Sequence, residues 1–281
     1  MCKRKIFVPP LATFLKTCYN KGMATKYPIV LAHGIILKDG KFFKAFGRIE
    51  KVLRAGGHSV QTSTTDGVGS IETNAEQLKK QIEEILQTEG VEKVNVIAHS
   101  KGGLDTRYMI EKLGMKDKIA SVTFLCTPHK GSQIATKLYA LPRPVKGFLA
   151  FWINLWYRIF GDKHPDVLKA CRQLSANPSG VLEGFEPADG IFMQSYSTTL
   201  EKSSDDFIMG IPLLFSRKFE NDRSDGVVSV ESSKFATYLG NCIDDSISHT
   251  EIVDLTVNKK KKEKIYAFYT ELCKDLEKRG Y

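Results

Sequence analysis

The chain has 281 residues, 42% of them hydrophobic, enough to bury the core of one large domain. Its 41 basic and 32 acidic residues leave a formal net charge of +9. No basic run is interleaved with aromatic residues, so an anionic lipid surface ranks above nucleic acid as a partner, and nucleic acid is not expected. The six cysteines lie far apart without a CxxC pair, which excludes a paired-cysteine zinc site and a dense disulfide framework.

The N-terminus, Met1-Cys2-Lys3-Arg4-Lys5 followed by Ile6 to Leu15, has the charge and some of the apolarity of a signal peptide. Pro9-Pro10 interrupts its apolar part, Lys16 ends it, and no small-x-small cleavage site follows. Met23 offers an alternative start. Residues 1–25 are therefore read as an extension and residues 26–281 as one domain. The compartment stays open between secretion without a clear cleaved signal and the cytoplasm. No run reaches the ~20 apolar residues of a membrane span.

Tyr27 to Ala32 reads as a buried first strand ending in His33-Gly34. Phe42 to Leu53 predicts a helix stopped by Gly56-Gly57, and His58 to Ser63 alternates as a second strand. Ile71, Ala75, Leu78, Ile82 and Ile85 follow helical spacing between charged residues, the pattern of an amphipathic crossover helix. Val94 to Ala98 and Val122 to Cys126 are apolar runs of strand length, and Ile211 to Phe215 is a further strand candidate. Lys261 to Leu276 predicts a last helix with an Ile265, Phe268 and Leu272 stripe, and Lys259 to Lys262 is expected to be its solvated start. Alternating strands and helices imply an α/β class, a mostly parallel sheet with helices on both faces. One window stands apart. Leu138 to Phe160 carries Phe148, Leu149, Phe151, Trp152, Ile153, Leu155, Trp156 and Ile159, more apolar surface than one core-facing helix needs.

The chemistry centres on Ala98-His99-Ser100-Lys101-Gly102-Gly103. A buried strand stops at Ser100, and Leu104 to Leu113 resumes as a helix, the arrangement of a nucleophile elbow. The sharp turn tolerates only small residues two positions either side, here Ala98 and Gly102. A serine hydroxyl needs a base to take its proton and a third group to hold that base. Of six histidines, His33, His58 and His99 precede Ser100, His129 belongs to a turn, and His164 comes before any plausible acid. His249 is late in the chain and near the final helix, which favours it as the base. Asp225, followed by Gly226 and an apolar pair, is the preferred acid over Asp222, Asp244 and Asp245. Two backbone amides, those of Ile35 and Lys101, are expected to face the developing oxyanion, so the side chains at these positions are expected to be free to vary.

Tyr-Pro-Ile-Val-Leu-Ala-His-Gly, Ala-His-Ser-Lys-Gly-Gly, Thr-Pro-His-Lys-Gly-Ser, Ser-Asp-Gly-Val-Val and the late His249 together resemble the bacterial triacylglycerol lipases of the Pseudomonas, Burkholderia and Proteus type, from Tyr27 to the C-terminus. The resemblance implies an α/β-hydrolase fold, a Ser100–Asp225–His249 triad and a helical lid at about residues 138–160. The apolar window itself is read as that lid, with Phe148, Trp152 and Trp156 serving the acyl pocket. Both tryptophans are expected to be buried over the Ser100 cleft until a lipid surface draws them away. The alternative is a fixed helix pair completing the core, or a dimer contact. The resemblance also implies a structural calcium near His249, held by Glu251 and one of Glu201, Asp205 or Asp206, while the chemistry itself needs no cofactor. Where secreted members carry a disulfide cysteine, this chain reads Val230-Glu231-Ser232-Ser233, so that bridge is not expected. The implied activity is hydrolysis of lipid esters, with peripheral contact with a lipid surface. The alternatives are a short-chain carboxylesterase, an acyltransferase, or a lipid-surface binding protein without catalysis. Oligomeric state is not legible.

Overall fold

The computed structural model describes residues 24–35, 44–175, 186–216 and 222–281. The extension up to residue 23 and the segment carrying Phe42 and Phe43 lie outside the described residues. Six strands form one sheet in the order β2-β1-β3-β4-β5-β6, with every neighbouring pair parallel. They are β1 (Ile29–Ala32), β2 (Val60–Thr62), β3 (Val94–His99), β4 (Ile119–Leu125), β5 (Phe192–Thr199) and β6 (Thr237–Ser246).

Parallel strands covered on both faces bury nearly every residue, and β1, β3 and β4 are buried throughout. Alternation along β1 divides them between two cores. Ile29 and Leu31 pack with α1 (Ile49–Ala55) and with Ile265, Tyr269 and Leu272 of the C-terminal helix Lys259–Lys278. Val30 and Ala32 point the other way, toward Ala75, Leu78 and Ile82 of α2 (Ile71–Glu89) and Met109 and Ile110 of α3 (Lys101–Lys112). The helix α2 buries the stripe its spacing predicted, with the Ser70 side chain accepting from the Thr73 amide at its start and Gly90 at φ 65° ending it.

Two expectations need correction. The helix expected from Phe42 begins only at Ile49, after a turn. The strand expected at Ile211 to Phe215 lies instead inside a helix, Phe207–Ser216, since so short an apolar run has no periodicity that separates helix from strand. The fifth strand is the polar stretch Phe192–Thr199. Its Ser195 hydroxyl bonds the Phe235 carbonyl and its Ser197 hydroxyl bonds Asn241 Oδ1, which makes the polar side chains tolerable in a buried strand.

Helices α4 (Gln133–Tyr139), α5 (Arg143–Ile159) and α6 (Val167–Gln173) follow β4, then α7 (Phe207–Ser216), α8 (Val230–Ser233) and α9 (Lys259–Lys278). No helix among the described residues is long and apolar enough to cross a membrane. Strand order reverses between β1 and β3, and the loops leaving their carboxyl ends carry His33-Gly34 and Ser100. Parallel α/β sheets form their sites at such a switch point.

Candidate active site

Ser100 joins β3 to α3 with φ 55° and ψ −131°, a backbone conformation that side chains other than glycine rarely adopt. Packing enforces it. The Ser100 amide donates to the Leu125 carbonyl of β4 at 3.0 Å, and α3 starts immediately afterwards. A Cβ at Gly102 would lie 2.5 Å from the carbonyl oxygens of both Ala32 and His33, so only glycine lets α3 come this close to the end of β1. At Gly34 a Cβ would stand 2.6 Å from Ser100 Cβ and 3.0 Å from both Ser100 Oγ and the Lys101 amide nitrogen. The backbone leaving β1 therefore runs directly against the nucleophile candidate.

Three residues far apart in the chain meet here. His249 Nε2 lies 2.8 Å from Ser100 Oγ, and His249 Nδ1 lies 2.6 Å from Asp225 Oδ2. The second Asp225 oxygen accepts from the amides of Val227 at 2.9 Å and Val228 at 2.8 Å, across a turn at Gly226 with φ 110°. The His249 amide donates to the Asp225 carbonyl, so the two residues are tied through backbone as well as side chain. Asp222 instead accepts from the Arg223 and Glu231 amides, and Asp245 pairs with Lys264.

The fold and this geometry can be set beside known proteins. The sequence profile of the palmitoyl protein thioesterase family matches residues 28–164. A triacylglycerol lipase of Pseudarthrobacter phenanthrenivorans is 30% identical over 183 residues, 60% of this chain and 56% of that protein. The chain thus spans about half the length of the curated lipases it first matches. The crystal structure of mature Bacillus licheniformis lipase BlEst2 superposes with a TM-score of 0.60 at 20% identity, over 89% of this chain and 92% of that one. The metagenomic carboxyl esterase MGS0156 superposes with a TM-score of 0.69 at 15% identity, over 91% and 76%. The chain has the α/β-hydrolase fold.

In this fold the other histidines have different work. His99 Nε2 lies 2.9 Å from the His249 carbonyl and its ring sits 4.6 Å from the His249 ring. Burial pushes His99 well below its ordinary 6.5, so the neutral ring donates its Nε2–H and steadies the loop carrying His249. His129 is packed between Phe124 and Phe235, and burial together with Arg107 beside it also keeps it neutral. The His164 amide, not its ring, is what the structure uses: it donates to Asp66.

The side chain of Lys101 is not free to vary, contrary to expectation. It is fully buried and its ammonium sits 2.7 Å and 3.0 Å from the two Asp105 oxygens, one helical turn away. Burial raises the Asp105 carboxyl to about 6 although Lys101 pulls the other way. Ile35, which follows Gly34, is 40% exposed.

Glu251 is buried, and its surroundings do not fit calcium. Oε2 receives Lys261 Nζ at 2.6 Å and the Ser248 amide at 3.1 Å, while Oε1 accepts from Thr256 Oγ1 at 2.9 Å. Lys261, expected to be solvated, is only 9% exposed, because Glu251 draws it inward. Of the other acidic candidates, Glu201 pairs with Arg223, Asp205 accepts from the Ser246 hydroxyl, and Asp206 accepts from the Met209 amide and the Ser248 hydroxyl. Among the described residues the one close cluster of metal-ligand types is Cys126, Asp225 and His249, where burial raises the Cys126 thiol well above its ordinary 9.0 and keeps it protonated.

The aromatic window forms α5, and here the structure departs most from expectation. Phe148 is 66%, Trp152 54% and Trp156 55% exposed, so the tryptophans are not buried against an acyl pocket. The reason is geometric: Ala150 is the only buried residue of the helix, and the large side chains fall on the faces turned outward.

Proposed function

We propose that this chain is a serine hydrolase of carboxylic esters, with lipid esters as substrates and water as acyl acceptor. The hydrogen-bonded chain from Ser100 Oγ through the His249 ring to Asp225 carries the proposal. His249 Nε2 takes the Ser100 proton as Oγ attacks the ester carbonyl carbon, and Asp225 holds the Nδ1–H so that the ring presents the correct nitrogen. The Lys101 and Ile35 amides receive the oxyanion, Lys101 at the start of α3, where helix N–H groups have no internal partner. His249 then returns the proton to the alcohol leaving group. Water, deprotonated by the same nitrogen, releases the acid and restores Ser100. The exposed aromatic face of α5, bordered by Arg143, Lys146 and Arg158, supports contact with a lipid surface.

The thioesterase profile supports a second reading in which the scissile acyl bond is a thioester, cleaved by the same steps with a thiol as leaving group. A fluorophosphonate probe should label the wild type and not Ser100→Ala. Hydrolysis rates over dissolved short-chain esters, emulsified long-chain esters and long-chain acyl thioesters then separate the substrates. Absence of both labelling and turnover would leave a binding protein. Substituting an alcohol for water as acceptor tests transfer.

A further inference from the structure

We infer that Lys261 is a built-in cation that pins the His249 loop, standing where the resemblance to lipases implies calcium. A lysine in the first turn of a helix is opposed by the helix dipole, and its ordinary place is in solvent. Lys259 and Lys260 follow that rule and are exposed. Lys261 turns inward, and the buried carboxylate of Glu251 is what draws it. A buried anion is stable only when paired and hydrogen-bonded, and Glu251 has both: the ammonium, the Ser248 amide and the Thr256 hydroxyl.

The placement ties three segments together. The ammonium also donates to the Asp205 carbonyl at 3.4 Å, so the loop after β5, the loop holding His249 and the start of α9 converge on one positive charge. Ser248 extends the link: its amide donates to Glu251, its hydroxyl accepts from the Glu251 amide and donates to Asp206. His249 is the next residue. A divalent cation would perform the same task, neutralising Glu251 and collecting a backbone oxygen, but would be open to removal by chelators. Lys261 does it with a cation that is part of the chain. It is a positioning residue for His249 and touches no substrate.

The test is thermal and kinetic. The wild type should melt at the same temperature in excess EDTA and in millimolar calcium. Lys261→Met should lower the Tm in both, because Glu251 is left as a buried unpaired anion. Adding Glu251→Gln to that variant should recover part of the loss. Should Lys261→Met fail to fold, Glu251→Gln alone, close in shape and without charge, serves instead. The kinetic arm rests on the proposed ester hydrolysis: either variant should lower kcat by about 10- to 100-fold with KM nearly unchanged, since the base is misplaced and the substrate surface is not. A wild-type Tm that falls in EDTA and returns with calcium overturns the inference. So does Lys261→Met that melts and turns over like the wild type. If the wild type hydrolyses no ester, the proposed function fails, while the melting arm still decides the role of Lys261.

Discussion

The loops around Ser100 and the helix α5 are built on opposite plans. Ser100 holds a strained backbone because Leu125, Gly102 and Gly34 leave it no alternative. Asp225 and Glu251 are buried with their carboxylates fully engaged, and His249 is held by backbone, by Asp225 and by His99. The helix α5 buries one residue, Ala150, and turns its aromatics out, Phe148 and Phe151 against Trp152 and Trp156 against Phe160. Hydrogen bonds to flanking segments hold it. Lys146 reaches back to the Tyr139 carbonyl, Asn154 accepts from the Val167 amide, and past its C-terminus the Lys163 and His164 amides both donate to Asp66. Chemistry at one atom needs a preorganised environment, whereas contact with a soft surface needs area. On the proposed function, the two regions answer these two demands.

The largest break in this contrast should come from Gly34→Ala. The added methyl would clash with Ser100 and crowd the Lys101 amide, so the nucleophile or its amide donor must shift. Turnover should fall by about 10²–10³, the usual loss for one oxyanion donor, while the melting temperature changes little. Steady-state hydrolysis of a dissolved ester and a melting curve read both. Unchanged turnover would mean that the approach of Gly34 to Ser100 has no bearing on the reaction.

Lys101→Met should act on stability first. It leaves Asp105 buried without its ammonium, a loss of about 3–5 kcal/mol at neutral pH. The sign with pH follows. The Asp105 pKa is already raised above 3.8 by burial, and losing Lys101 raises it further. A carboxyl with a raised folded-state pKa favours the fold when protonated, so its penalty grows as pH rises from 3.8 through about 6 and beyond. The gap between variant and wild type should therefore narrow as pH falls toward 3.8. A gap constant with pH would trace the loss to packing instead.

How much of this was legible depended on whether a residue's role is set by its neighbours in sequence. Strands β1, β3 and β4 read clearly because strands covered on both faces are apolar runs. The elbow read clearly because Ala98 and Gly102 must be small for reasons local to the turn. Strand β5 was hidden because the partners that satisfy its serines, Phe235 and Asn241, come 40 and 44 residues later. His99 and Lys261 were hidden for the same reason: the first acts on a carbonyl 150 residues away, and the second departs from its lysine run only because Glu251 is near in space. Exposure of α5 was illegible from composition, since an apolar window is equally consistent with a covered and an uncovered face.

The smallest effect on the folded protein, and the sharpest test of the contrast, is expected from replacing Trp152 and Trp156 with serine. Both side chains stand more than half exposed, so the fold should change by no more than about 0.5 kcal/mol per substitution. Turnover of a dissolved short-chain ester should also be unaffected, because neither tryptophan belongs to the Ser100 site. On emulsified long-chain ester the double variant should lose activity, since the aromatic face is what a lipid surface would accept. These are the chain's only two tryptophans, so intrinsic fluorescence reports on α5 alone. In the wild type, emission should move to shorter wavelength on adding anionic vesicles, and more weakly with neutral ones, because Arg143, Lys146 and Arg158 border the face. Emission indifferent to vesicles, with equal activity of both proteins on the emulsion, would remove lipid contact from α5. The helix would then be left with an apolar face larger than a soluble surface ordinarily carries, and a protein partner would become the reading to test.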